Sequence, residues 1–193
     1  MLSRDEIDEL ERAKQTERDK IIVRIFGDCG LRLTELTNLT ATDIVRTGRQ
    51  GFLRVLGKRN RMRNVPAPPQ LLRRIDRLIA GRPEERRSDH IFLPLRRGPD
   101  GMYEPMTPHG IGEVVTDAAA RAHLSKRVYP HLLRHSWMTE MVRTGMHPLQ
   151  LSVIAGVSQQ VIARCYTHLT AADAYEAMMR SLMVGRKDVA RRY

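Results

Sequence analysis

The periodicity of the apolar residues changes along the chain, and this change most constrains the fold. Residues 41–68 alternate apolar and polar side chains and carry turn residues at Thr47-Gly48 and at Gly57. That pattern is typical of two or three short antiparallel strands. The flanking segments have helical spacing, and the first of them opens with Ser3 and Glu6, a capping-box pair. The sequence therefore predicts a mainly α fold with one small antiparallel β-sheet (α+β).

The segment between the strands and the C-terminal helices is rich in proline, glycine and charge. Residues 82–106 are expected to form a long surface loop with a short strand at residues 90–94. Thr107 and Pro108 then predict a helix start, with the threonine as N-cap and the proline in the first turn.

Charge favours a polyanionic partner. The 193 residues contain 33 Lys and Arg against 22 Asp and Glu, a formal net charge of +11. Such a balance is typical of nucleic-acid-binding proteins. The 2 cysteines do not suggest a disulfide framework. No apolar run approaches the ~20 residues of a membrane span, and the polar N-terminus does not resemble a signal peptide. We expect a cytoplasmic protein that does not bind membranes.

Residues 147–168 fit a helix-turn-helix pattern. Ala155 and Gly156 would form the tight turn, and Ser158 would start the second helix. Read alone, this stretch predicts a DNA-binding repressor in which Tyr166 only packs.

Three further motifs contain candidate catalytic or DNA-binding residues, and each also has a purely structural explanation. Histidines 131 and 135 share a helix face, but Leu132 stands where a zinc protease needs glutamate, so a metal site is not expected. His131 and Arg134 could instead bind a phosphate oxygen together, although most such histidines simply pack. Arg32 and Glu35 could form an oriented pair or an ordinary surface salt bridge.

The third motif is a basic hairpin. Its tip is expected to carry Lys58, together with Arg59, Arg61 and Arg63. These cations could contact DNA phosphates, or they could merely keep a solvated sheet edge from aggregating.

Taken in order, these stretches resemble the catalytic domain of the tyrosine recombinases, the phage-integrase family. The matching sequences are CGLRLTELTNL, LGKRNRMRNVP, PHLLRHSWMTEM and CYTHLT. The resemblance extends from about residue 2 to about residue 170. Each motif alone is weak evidence for the family. Four motifs in the family's order favour it over the helix-turn-helix interpretation, which accounts for only one stretch.

The resemblance implies DNA strand cleavage and rejoining through a 3′-phosphotyrosine, without metal, ATP or another cofactor. Tyr166 would be the nucleophile, Arg32 and Arg134 would bind the phosphate, and His131 would assist them. Lys58 would protonate the leaving oxygen. Glu35 and His135 would support this set, and Arg59, Arg61 and Arg63 would contact DNA.

The resemblance has one departure and leaves alternatives open. Val157 occupies a position where the family usually has His or Trp, so a hydrogen-bond donor is missing. The chain could therefore be a weakened or non-catalytic DNA-binding relative, or it could relax DNA as a type IB topoisomerase does.

The resemblance also implies a domain organisation and an assembly. We expect residues 1–193 to form a single catalytic domain, with the family's N-terminal DNA-binding domain absent from this chain. The expected partners are double-stranded DNA and further protomers, joined in a DNA-bound tetramer through a helix at residues 171–184.

Overall fold

The computed structural model describes residues 1–57, 60–98, 101–167, 169–176 and 178–179. Helices dominate this part of the chain, and a π-helix at Ile25–Cys29 extends the second of them. The α-helices are α1 (Arg4–Arg12), α2 (Glu17–Arg24), α3 (Leu33–Thr37), α4 (Pro69–Ala80), α5 (Pro108–Arg121), α6 (Pro130–Arg143), α7 (Pro148–Ala155) and α8 (Gln159–Tyr166).

The strands form one antiparallel sheet in the order β1-β2-β3. They are β1 (Ile44–Thr47), β2 (Gln50–Leu56) and β3 (Met62–Pro66). In the register, Leu53 of β2 pairs with Val65 of β3, and both side chains are buried. The expected mainly α fold with a small antiparallel sheet is therefore confirmed.

Two apolar clusters organise the interior. The larger contains Ile21, Phe26 and Leu53, and joins α1, α2, α4 and α5 to the sheet. The smaller contains Trp137, Leu151 and Ile162, and packs α6 against α7 and α8. The candidate site lies where these clusters meet, because α6 contributes Leu133 to the first and Trp137 to the second.

Local signals in the sequence set several helix boundaries. The Ser3 hydroxyl accepts from the Glu6 amide, and the Glu6 carboxylate accepts from the Ser3 amide, as the capping box predicts. Thr107 caps α5 in the same way, through the Gly110 amide.

The strand predicted at residues 90–94 is wrong. The segment makes only an isolated bridge between His90 and Thr40, although Ile91, Phe92 and Leu93 are buried. The apolar run therefore fills the core without a neighbouring strand. Among the described residues, no helix is long and apolar enough to cross a bilayer.

Candidate active site

Five of the residues singled out in the sequence line one cavity. Arg32, His131 and Arg134 surround a space of about 630 Å³ between α3, α6 and α8. His135 and Val157 also line it. The cavity thus joins residues more than a hundred positions apart in the chain.

Arg32 is placed by the turn that precedes α3. Gly30 ends the π-helix in the left-handed region, with φ of 59°, which glycine adopts without the penalty of a side chain. Arg32 then follows as the extended N-cap of α3. Its side chain retains 31% exposure and so remains accessible from the cavity.

Glu35 is a buried carboxylate with every acceptor direction occupied. Oε1 accepts from Nη1 of Arg32 at 2.6 Å and from Nη1 of Arg63 at 2.8 Å. Oε2 accepts from the Arg32 amide and from Nη2 of Arg63, both at 2.8 Å. Burial disfavours the charged form, but the bonds from Arg63 and Arg32 outweigh it and lower the pKa of Glu35. Glu35 therefore stays ionised and orients Arg32.

The N-terminal part of α6 supplies His131 and Arg134. Pro130 occupies the first turn, which costs no internal hydrogen bond, and His131 follows it exposed to solvent. Arg134 lies one turn further and is only 3% exposed. Burial lowers the pKa of Arg134 to about 10, and repulsion from Arg32 contributes. At neutral pH the guanidinium remains charged.

Three arginines converge on the C-terminal end of α7. Arg63 Nε donates to the Ile154 carbonyl at 2.7 Å. Arg134 donates to the Ala155 carbonyl and Arg32 to the Gly156 carbonyl. Cations are favourable there because the helix dipole leaves partial negative charge on the last carbonyls. We call Arg32, Arg63, Arg134 and Glu35 the arginine cluster.

The helix-turn-helix pattern is present as two helices joined by a tight turn. Gly156 takes the left-handed conformation, with φ of 64°. The turn is, however, held against the arginine cluster, and the Ser158 hydroxyl makes no capping hydrogen bond to α8. The stretch therefore connects the cluster to the helix that carries Tyr166.

Tyr166 lies on the last turn of α8, outside this arrangement. It is 36% exposed and is not among the described residues that line the cavity. Burial and the neighbouring Cys165 raise the pKa of Tyr166. The structure thus brings Arg32, His131 and Arg134 together around one cavity and places Tyr166 outside its lining.

Val157 contributes an apolar wall to the cavity beside Met138 and Val161. Tyr129 and Arg164 also line the cavity, and the sequence analysis did not single them out. Arg164 follows Val161 by one helical turn, and Tyr129 directly precedes the PHLLRH motif, so both positions could have been inferred from their neighbours.

The basic residues predicted for the hairpin differ in their surroundings. Lys58 and Arg59 lie outside the described residues. Arg61 is exposed in the turn, where its carbonyl accepts from the Gly57 amide. Arg63 was predicted to contact DNA, but in this structure its guanidinium binds Glu35 and the Ile154 carbonyl inside the protein. Alternation could have shown this, since Arg63 shares a strand face with the buried Val65.

The described residues offer no evident metal ligand set. His131 and His135 share a face of α6, but no described group of three or more His, Cys, Asp or Glu side chains could hold an ion.

Comparison with known proteins agrees with the resemblance seen in the sequence. The profile of the Phage integrase family matches residues 1–173. The tyrosine recombinase XerA of Pyrococcus furiosus is 31% identical over 169 residues, covering 87% of this chain and 56% of XerA. XerD of Pseudomonas putida is 30% identical over 164 residues, covering 81% of this chain and 51% of XerD. The chain thus spans about half the length of these curated relatives.

The fold is also found among solved structures. The XerH site-specific recombinase bound to its difH substrate superposes with a TM-score of 0.72 at 19% identity. The match covers 92% of this chain and 52% of the XerH chain.

Proposed function

The chain belongs to the phage integrase family, and on that premise we propose that it is the catalytic domain of a tyrosine-type site-specific DNA recombinase. Its substrate would be double-stranded DNA, which it would cut and rejoin at a specific site. The observation that carries the proposal is the convergence of Arg32, His131 and Arg134 on one cavity.

The cavity chemistry suits a phosphodiester. Attack at phosphorus places additional negative charge on the non-bridging oxygens, and phosphoryl transfer depends mainly on positioned cations. Arg32 and Arg134 carry permanent charge and planar donor sets that match two oxygens of one phosphate. Because these cations supply the charge stabilisation, the proposed reaction needs no metal.

In the proposed reaction, Tyr166 Oη forms a bond to phosphorus as the bond to the 5′ oxygen breaks. The products are a 3′-phosphotyrosyl DNA and a free 5′-hydroxyl. One phosphodiester replaces another, so rejoining needs no ATP. His131 hydrogen-bonds the phosphate or accepts the phenolic proton, and Lys58 donates a proton to the departing oxygen.

Tyr166 must change its surroundings for this step. Its pKa is raised in the present arrangement, whereas attack requires the phenolate. A position beside Arg32 and Arg134 would favour the ionised form. We therefore expect DNA binding to bring the last turn of α8 towards the cavity.

Assembly and location belong to the same proposal. Tyr175 and Met178 follow α8 and are 61% and 54% exposed, which suits a helix at residues 171–184 that packs on a neighbouring protomer in a DNA-bound tetramer. Part of that range lies outside the described residues. We further propose that residues 1–193 act as one catalytic domain and that it works in the cytoplasm, where its DNA is found.

A covalent-trapping selection tests the function and identifies the target sequence in the same experiment. The 193-residue protein is mixed with a pool of randomised nicked duplexes, in which cleavage releases a short fragment and prevents rejoining. Denaturant-resistant adducts are then isolated and sequenced. Tyr166→Phe removes the nucleophile, and Tyr175→Phe is the matched control at another exposed tyrosine.

Adducts are expected from the wild type and Tyr175→Phe, on a shared sequence, and not from Tyr166→Phe. An adduct in Tyr166→Phe would assign the nucleophile elsewhere. A gel shift without any adduct in the wild type would instead favour the non-catalytic DNA-binding relative.

A further inference from the structure

Arg63 makes an unusually complete set of internal contacts for a residue beside a hairpin turn. Nη1 and Nη2 each donate to one oxygen of Glu35 at 2.8 Å, and Nε donates to the Ile154 carbonyl at 2.7 Å. Only a planar guanidinium can donate in all three directions at once.

These contacts link three elements that hold proposed functional groups. Arg63 is the second residue of β3 and follows Lys58 closely in the sequence. Glu35 lies in the first turn of α3 and binds the Arg32 guanidinium at 2.6 Å. Ile154 lies near the end of α7, directly before the turn that leads to α8 and Tyr166.

The fit at the turn is close. A β-carbon added to Gly156 would lie 3.0 Å from Cζ of Arg63, so the guanidinium packs directly on the turn backbone. The Arg63 side chain is only 10% exposed. Its donors are therefore committed within the protein and do not reach a DNA phosphate.

We infer that Arg63 is a positioning residue: it holds the Glu35 carboxylate so that Arg32 faces the cavity, and it fixes the α7–α8 turn that leads to Tyr166. Through these bonds the β2–β3 hairpin and the nucleophile's helix share one rigid connection. This inference rests on the proposed function for its effect on cleavage, but the connection itself can be measured separately.

The test compares Arg63→Lys, Arg63→Met, Glu35→Gln and the double variant Arg63→Met/Glu35→Gln. Arg24→Met is the matched control, because Arg24 is also largely buried and is also held by carboxylates, those of Asp8 and Glu11, away from the cavity. Each variant is measured for urea unfolding, for DNA affinity and for single-turnover adduct formation on a duplex recovered from the trapping selection.

If Arg63 is a positioning residue, replacing it should affect the rate of adduct formation far more than the affinity for DNA. Misplacement of a reacting group by about 1 Å can cost about 100-fold in rate, so Arg63→Met is expected to slow adduct formation roughly 100-fold while DNA affinity changes less than about threefold. Arg63→Lys keeps the charge but not the three-way geometry, and is expected to rescue little of the rate. Arg24→Met is expected to lower stability without slowing adduct formation.

The double variant separates positioning from simple stabilisation. Removing Arg63 takes two charge-assisted hydrogen bonds from the buried Glu35 carboxylate and leaves it paired with Arg32, and neutralising Glu35 as well relieves part of that cost. The double variant should therefore regain stability relative to Arg63→Met, yet remain slow in cleavage. Recovery of the rate together with stability would overturn the inference, as would a rate for Arg63→Lys within about threefold of the wild type. An equal loss of DNA affinity and rate would make Arg63 a DNA contact instead.

Amide hydrogen exchange tests the connection between Arg63 and the α7–α8 turn even if the wild type forms no adduct. Faster exchange at residues 155–162 is expected in Arg63→Lys but not in Arg24→Met. Equal exchange in the two variants would refute the connection, whereas faster exchange with no wild-type adduct would refute the proposed function alone.

Discussion

Replacing Gly30 with alanine should be among the most damaging single changes in this fold. Gly30 has φ of 59°, and a β-carbon there would lie 2.1 Å from Cε3 of Trp137. The Gly30 carbonyl also accepts from Arg134. The substitution would therefore strain the backbone, displace the buried indole and disturb the arginine cluster together.

The cost can be divided into two parts. A non-glycine residue in the left-handed region costs about 1–2 kcal/mol, and overpacking a core costs about 1–3 kcal/mol. The expected total is thus about 2–5 kcal/mol, against a stability of about 5–15 kcal/mol for a typical domain. Gly48 has φ of 58° with no atom within 4 Å of its added β-carbon. Gly48→Ala therefore carries the strain without the collision.

Urea unfolding followed by far-ultraviolet circular dichroism measures both variants without relying on Trp137 fluorescence. Gly30→Ala should lose about 1–3 kcal/mol more than Gly48→Ala, with an unchanged slope against urea. If the two costs agree within about 0.5 kcal/mol, a margin typical of benign surface changes, the packing of Trp137 on Gly30 is wrong.

Three further predictions concern the cavity. The pKa of Glu35 is lowered in the folded state, so its ionised form stabilises the fold at any pH above the unfolded pKa. That contribution is lost as the pH falls through the folded pKa. The urea midpoint of Glu35→Gln should therefore fall less than that of the wild type when the pH is lowered below about 4.5. Arg134→Ala should slow adduct formation roughly 100- to 1000-fold while DNA affinity falls less than tenfold; equal losses would make Arg134 an anchor only. Val157→His should speed adduct formation roughly tenfold or more by restoring a donor, whereas the control Val161→His should not, and no gain in either variant would mean that another group already donates there.

Elements specified by local chemistry were predictable from the sequence. The Ser3–Glu6 capping box and the Thr107 N-cap involve atoms within four residues, so nearby side chains alone decide them. The strand expected at residues 90–94 failed for the opposite reason. Its apolar residues Ile91, Phe92 and Leu93 are buried. A strand also needs a partner strand, however, and tertiary packing supplies only the single bridge from His90 to Thr40.

The site was predictable to the extent that motif order identifies the residues. Arg32, His131 and Arg134 share the cavity, as the resemblance implied. The direction of Arg63 was misjudged because proximity to the hairpin turn was weighed above strand alternation, which places it on the side of Val65. The location of Tyr166 outside the cavity could not be predicted from the sequence, because residues near it in the chain do not determine where an exposed side chain at a helix end lies.

The arginine cluster carries more positive than negative charge, and this excess bears on how the proposed site would treat a phosphate. Three guanidiniums lie together, and Glu35 is the carboxylate that pairs with two of them, Arg32 and Arg63. The lowered pKa of Arg134 reflects burial and repulsion from Arg32. The carbonyls at the end of α7 offset part of this repulsion but carry only partial charge. An anion in the cavity would balance the remainder, and the added negative charge of a phosphoryl transition state would balance it better than a ground-state phosphodiester. In the proposed reaction, the same excess positive charge would therefore favour the transition state over the bound substrate, which is the condition for catalysis.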